Sequence, residues 1–139
     1  SYLWRWLMNK KLVEVVAAVI ENENNEILCA LRSPIMTLPN MWEFPGGKVE
    51  EGESLYTAIE REIKEELKCS IKAIEIIGEN RHEYEKIIVN LTAIKCNLVE
   101  GEPVADEHSK LIYLNKENLE SLVWAPADIP LVKKVINIK

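Results

Sequence analysis

Apolar residues fall along this chain in two different periods. Leu12 to Ile20 is a β-branched apolar run, Asn22 to Asn25 is polar, and Ile27 to Leu31 is apolar again. Two such runs around a polar turn predict a β-hairpin. Strand signals return at Ile71–Ile77, Ile87–Cys96 and Leu111–Leu114. From Ser54 to Leu67 the period changes: Leu55, Ile59, Ile63 and Leu67 recur every fourth position, which at roughly 100° per residue makes one buried stripe on a helix. Asn115 is placed to cap a short helix through Leu122, and Asp128 with Pro130 to open a last helix carrying Leu131, Val132, Val135 and Ile136. Residues 33–41, with Pro34 and Pro39, read as a loop. There are no repeats or low-complexity segments. A mixed sheet between helices, an α/β fold of the α/β/α sandwich type, is the expected architecture.

The polar side of the Ser54–Leu67 helix carries the chemistry. Glu62 and Glu66 lie beside Leu55 at the edge of the apolar stripe, and Glu65 lies one step further round. Arg61, Lys64 and Lys68 are expected on the far side, leaving these acids without (i, i+4) neutralisation. With Glu50, Glu51 and Glu53 just upstream, mutual repulsion calls for a cation, most simply Mg²⁺, with Mn²⁺ as the alternative. An isolated E-x-x-E-E is usually a solvated helix face. The spacing to Gly47 and Glu53 overturns that reading, and Gly46-Gly47 would let backbone approach phosphates.

Gly47, Glu53 and Arg61-Glu62-Ile63-Lys64-Glu65-Glu66 form G-x5-E-x7-R-E-(apolar)-x-E-E, which resembles the Nudix box. A chance match is on the order of 1 in 10,000. Asn22–Ile27, Trp42–Lys48 and Ala125–Pro130 resemble the MutT-like branch of that family, so the similarity runs from about Leu12 to the C-terminus. It implies the Nudix fold and Mg²⁺-dependent hydrolysis of nucleoside triphosphates to monophosphate and pyrophosphate, a chemistry that cleanses the nucleotide pool. One position departs from the pattern: Lys68 stands where the family has a helix-ending glycine, at an expected cost of about 1 kcal/mol or a changed helix exit.

Glu62, Glu65 and Glu66 are the expected metal ligands, and the resemblance adds the Gly47 carbonyl. Gly101–His108 aligns with the branch's loop that brings a further carboxylate to the metal, which makes Glu107 a candidate ligand or base. Glu53, Glu62 and Glu107 are all candidates for the group that deprotonates the attacking water. Lys48 could reach a phosphate, Arg32 resembles a family position on the phosphate side, and Arg61 is expected to brace the loop through Glu53 or a backbone carbonyl. His108 is expected at the surface or behind the ligands. Asp128 matches the branch's base-contact position, where a carboxylate accepts from the exocyclic amino group of cytosine, guanine or adenine; a helix N-cap would suit it equally. Phe44, Trp124 or Leu38 would form a stacking wall or belong to the core. The Ala-Asp-Glu-His and Ala-Pro-Ala-Asp-Ile-Pro segments resemble CTP pyrophosphohydrolases more than the oxidised-guanine prototype, which has Asn at the base-contact position.

Size and charge narrow the alternatives. At 139 residues the chain is expected to be one domain over 8–139, with residues 1–7 an extension or expression remnant. A net charge of −6 argues against a nucleic-acid polymer as partner and leaves a small polyphosphate, met locally by metal, Lys and Arg. Cys29, Cys69 and Cys96 lack metal or disulfide spacing and read as buried free thiols in the cytoplasm. No segment approaches the roughly 20 consecutive apolar residues of a membrane span. A monomer or homodimer is expected. Branches acting on nucleotide sugars or dinucleoside polyphosphates carry extra motifs that this chain lacks. A non-catalytic nucleotide-binding module would be expected to have lost box acids, and all are present.

Overall fold

The computed structural model describes residues 9–138, so the extension expected over residues 1–7 lies outside the described residues. The elements are β1 (Lys11–Glu21), β2 (Glu26–Leu31), β3 (Trp42–Glu43), β4 (Gly46–Lys48), α1 (Leu55–Leu67), β5 (Ser70–Glu83), β6 (Ile87–Glu100), β7 (Lys110–Asn115), two 3₁₀ turns (Lys116–Ser121 and Pro126–Asp128) and α2 (Ile129–Ile136). One sheet of order β3-β2-β1-β6-β5 takes β4 against β1 and β7 against β2. β1 and β6 run parallel along their shared length, and the other pairings of named strands are antiparallel. The α/β architecture is the expected one.

β1 can be apolar almost throughout because both its faces are covered. Val16, Ala18 and Ile20 pack with Ala58, Ile59, Ile63 and Leu67 of α1. The alternate residues Ala17 and Val19 pack with Leu131, Val132 and Val135 of α2. Period-2 alternation on the strand thus feeds two cores, one per helix. Ile59, Ile63 and Leu67 are fully buried, each stabilising the fold by roughly 1.5–3 kcal/mol. The three thiols are buried and free, and burial pushes those of Cys29 and Cys96 up to about 12.

The expected β1–β2 hairpin exists only at its closed end, pairing at Glu21↔Ile27. Further back, β4 takes the place of β2 beside β1, with Val16↔Gly47 and Ala17↔Gly46, and the Ala18 N–H donates to the Pro45 carbonyl at 2.7 Å. A Cβ on Gly46 would lie 1.9 Å from the Val16 carbonyl oxygen. The glycine therefore lets two backbones touch, a requirement set by the sheet.

Other boundaries moved for identifiable reasons. β5 and β6 run on to Glu83 and Glu100, paired antiparallel with three register shifts while β6 also pairs β1 on its other edge. β5 is the edge strand, so the polar residues beyond Ile77 do not end it. The helix expected after Asn115 is a 3₁₀ turn without a side-chain cap from Asn115.

α1 starts where Ser54 accepts the Thr57 N–H at 3.1 Å and ends at Lys68, left-handed at φ 58°, ψ 29°. The lysine therefore adopts the conformation for which glycine is favoured, at a steric cost. Replacing Lys68 with Gly is expected to stabilise the protein by about 0.5–1 kcal/mol, read as a raised urea midpoint with unchanged slope.

Candidate active site

Arg61, on the first half of α1, organises the loop-to-helix junction. Its Nε and Nη2 donate to the two oxygens of Glu53 at 2.6 and 2.8 Å, Nη2 also to the Lys48 carbonyl at 3.0 Å, and Nη1 to Glu62 at 2.8 Å and Glu65 at 3.2 Å. Glu50 stands 3.7 Å from Nη1. Arg61 therefore does neutralise these acids, against expectation: it stands four residues before Glu65 on the same helix surface, and its long guanidinium reaches on to Glu62 and the acidic loop. The brace to Glu53 and to a backbone carbonyl is as expected. Arg61, together with the Glu50 N–H, holds the Glu53 carboxyl down at about 2, and the same pairs raise the guanidinium further above its ordinary range.

The expected acids divide into inward and outward groups. The Glu62 side chain is 13% exposed, and that of Glu65, turned out to Arg61, is 60% exposed. A Cβ on Gly47 would lie 2.2 Å from Glu62 Oε2, so the glycine makes the seat in which that carboxylate rests. Glu66 buries Oε2 with no hydrogen-bond partner among the described residues. Burial, then the charge of Glu62, with smaller contributions from Glu107 and Glu43 and an opposing one from His108, raise the Glu66 carboxyl to about 7. Glu107 is exposed on the loop before β7 and near enough for its charge to be felt at Glu66.

A divalent cation fits this wall. Among the described residues no three His, Cys, Asp or Glu side chains already close on one point. Mg²⁺, however, keeps several waters and takes only one or two carboxylates, and a buried carboxylate oxygen without a partner is the donor such an ion satisfies.

Glu43, to which the sequence assigned no role, and His108, expected at the surface or behind the ligands, stand behind these acids. Glu43 accepts from Arg32 Nη1 at 2.9 Å on one oxygen and from His108 Nε2 at 2.7 Å on the other. His108 is buried, and its ring sits against Glu43 rather than at the surface. Arg32 also donates to the Thr37 carbonyl and hydroxyl at 2.6 and 2.9 Å, which ties it to the loop of residues 33–41. Lys48 is exposed at the end of β4.

Asp128 is buried, and its Oδ2 accepts the Phe44 N–H at 3.0 Å. It makes no side-chain cap on α2, so its burial is not explained by capping. Burial, then Glu43, raise its carboxyl to about 8, against the Phe44 hydrogen bond and Arg32. The preceding residue is fixed from β5: Asn80 Nδ2 donates to the Ala127 carbonyl at 3.0 Å, and the Ala127 N–H donates to the Tyr84 hydroxyl at 3.0 Å. Phe44 and Trp124 are buried, their rings tilted at 44° with centroids 4.8 Å apart. Both belong to the α2-side core, whereas Leu38 is half-buried in its loop with φ 50°.

A glycine seat for one carboxylate, a neighbouring carboxylate whose buried oxygen has no partner among the described residues and an arginine-braced acidic loop form an acidic wall suited to a divalent cation, and the family and relatives of the chain make it a hydrolase of nucleotide phosphoanhydrides. Residues 11–135 match the NUDIX domain family, and the chain belongs to it. It is 36% identical to the CTP pyrophosphohydrolase of Escherichia coli K12, over 93% of this chain and 95% of that one. It is 29% identical to the 8-oxo-dGTP diphosphatase of Haemophilus influenzae, over 94% and 96%. Among solved structures, the MutT protein of methicillin-resistant Staphylococcus aureus 252 superposes with a TM-score of 0.75 at 47% identity, covering 91% of this chain and 97% of that one.

The raised carboxyls fix the sign of a pH effect. Between the ordinary values of 4.5 and 3.8 and the folded values of about 7 and about 8, the folded chain holds more protons on Glu66 and Asp128 than the unfolded chain. Stability of the metal-free protein should therefore fall as pH rises from about 5 to 8. Urea midpoints across this range should show the decline, flattened in Asp128→Asn.

Proposed function

We propose that this protein hydrolyses nucleoside triphosphates to nucleoside monophosphate and pyrophosphate with Mg²⁺, or Mn²⁺ in its place. Cytidine nucleotides or oxidised purine nucleotides are the proposed substrates, and cleansing of the cytoplasmic nucleotide pool the proposed role. The observation that carries the reading is the partnerless buried oxygen of Glu66 beside Glu62 in its Gly47 seat. Glu62, Glu65, Glu66, Glu107 and the Gly47 carbonyl would hold the ion. When bound, it would neutralise phosphate charge and acidify the attacking water.

The chain's own groups divide the remaining work. Both Glu53 oxygens are committed to Arg61, and its carboxyl is held at about 2. That makes Glu53 a brace and a poor proton acceptor. Glu62 gives Arg61 one oxygen and rests the other against Gly47, which supports it over Glu53 as the group that takes the water's proton. Lys48, exposed beside the glycine seat, would meet phosphate charge; Arg32 would act through its loop. Asp128 has one oxygen on the Phe44 N–H, and the other supports contact with an amino-bearing base. Phe44 would serve that contact through its backbone, since its ring is in the core. The likeness to the Escherichia coli CTP pyrophosphohydrolase supports the cytidine choice.

Pyrophosphate release should be measured for CTP, dCTP, 8-oxo-dGTP, dGTP, ATP and UTP with Mg²⁺. One of the amino-bearing bases is expected to exceed UTP by about tenfold or more in kcat/KM. Absence of turnover for every triphosphate would refute the reading. Glu66→Gln should fold and lose at least about a hundredfold in kcat; turnover like that of the parent would remove Glu66 from the site.

A further inference from the structure

Two loops border the candidate site, residues 33–41 and residues 101–109, and one half-buried carboxylate joins them. Arg32 binds Thr37 of the first loop twice and Glu43 once. The other oxygen of Glu43 meets His108 of the second loop at 2.7 Å. The side chains involved are 16%, 18% and 4% exposed for Arg32, Glu43 and His108, so this three-membered chain of polar groups is mostly withdrawn from water. A carboxylate only accepts, so the imidazole Nε2 carries the hydrogen in this pair.

Glu107 sits one residue before this buried peg. The Ser109 N–H, one residue after it, donates to the Leu31 carbonyl at 2.9 Å. Upstream the loop is held more loosely, by the Val104 N–H on the Leu67 carbonyl and by an exposed Lys68–Asp106 pair at 3.9 Å. Position 107 is thus fixed from its C-terminal side, by the His108 ring and the Ser109 amide, while its own side chain is exposed. The His108 ring and the Ser109 amide follow Glu107 directly in the chain, so a shift of the peg moves the Glu107 carboxylate with it.

We propose that Glu43, gripped by Arg32 on one oxygen and by His108 on the other, is a positioning residue that ties the 33–41 loop to the Glu107 loop and fixes Glu107 against the Glu62 and Glu66 carboxylates. The proposal rests on the assignment of Glu107 as a metal ligand given above. Glu43 touches neither substrate nor metal in this scheme; it acts through His108. Arg32 likewise acts through Glu43, which joins the 33–41 loop to the position of Glu107.

The test is direct Mn²⁺ binding, followed by electron paramagnetic resonance on the whole chain without nucleotide, together with kcat and KM for the best triphosphate. His108→Ala should weaken Mn²⁺ binding by roughly tenfold or more, and Glu43→Gln should do likewise. His108→Gln, which restores a donor at similar reach, should recover most of the affinity. In a Glu107→Gln background, His108→Ala should produce little further loss, because both changes remove the same contribution. Should His108→Ala not fold, His108→Phe fills the buried volume without a donor and gives the same readings. An unchanged Mn²⁺ affinity in Glu107→Gln would overturn the ligand assignment and the proposal with it. Weakened binding in Glu107→Gln with parent-like binding in His108→Ala and His108→Phe, or fully multiplicative losses in the double variant, would overturn the positioning role alone.

Discussion

The junction between the acidic loop and α1 exists in its folded form because Arg61 holds three glutamates and a main-chain carbonyl at once. Without that guanidinium, Glu50, Glu53, Glu62 and Glu65 would repel one another across a few ångströms at the end of a tight turn. The two-pronged bond to Glu53 has the planar geometry in which arginine is superior to lysine. Pairs this close to solvent contribute little to global stability. Their effect is local: the loop is fixed to the helix, and the remaining oxygen of Glu62 is left facing Gly47.

Two glycines translate the sheet into the site, and they do so differently. Gly46 allows β4 to lie directly on β1, backbone to backbone, splitting the β1–β2 hairpin and carrying the chain to the junction. Gly47, the next residue, leaves a volume that the Glu62 side chain enters. Strand pairing on one side and carboxylate placement on the other are thus set within a single dipeptide, which couples the precision of the acidic wall to the rigidity of a central strand.

Glu66 and Asp128 show opposite uses of burial. Each carboxyl is raised mainly by the removal of water. Asp128 keeps a protein donor, the Phe44 N–H. Glu66 keeps a bare oxygen beside further carboxylates. A group of the first kind can exchange hydrogen bonds with a neutral ligand, whereas one of the second kind is relieved by a cation.

The sequence by itself determined the five longer strands and the two α-helices but not the short β3 and β4, together with the helix stripe of Ile59, Ile63 and Leu67, the acidic cluster and the glycine spacing, because local period and residue type carry those signals. The α/β class followed from their order. It could not determine that the Arg61 guanidinium reaches Glu62 as well, since a helical wheel fixes a Cα direction and not the reach of a long side chain. Nor could it reveal that Gly46 serves strand contact, that the hairpin opens at Glu21, or that Glu43 and His108 meet across 65 residues of chain. Those are contacts between segments distant in sequence. Only the folded packing brings such groups within hydrogen-bond range, and only there does burial decide which carboxylates hold their protons.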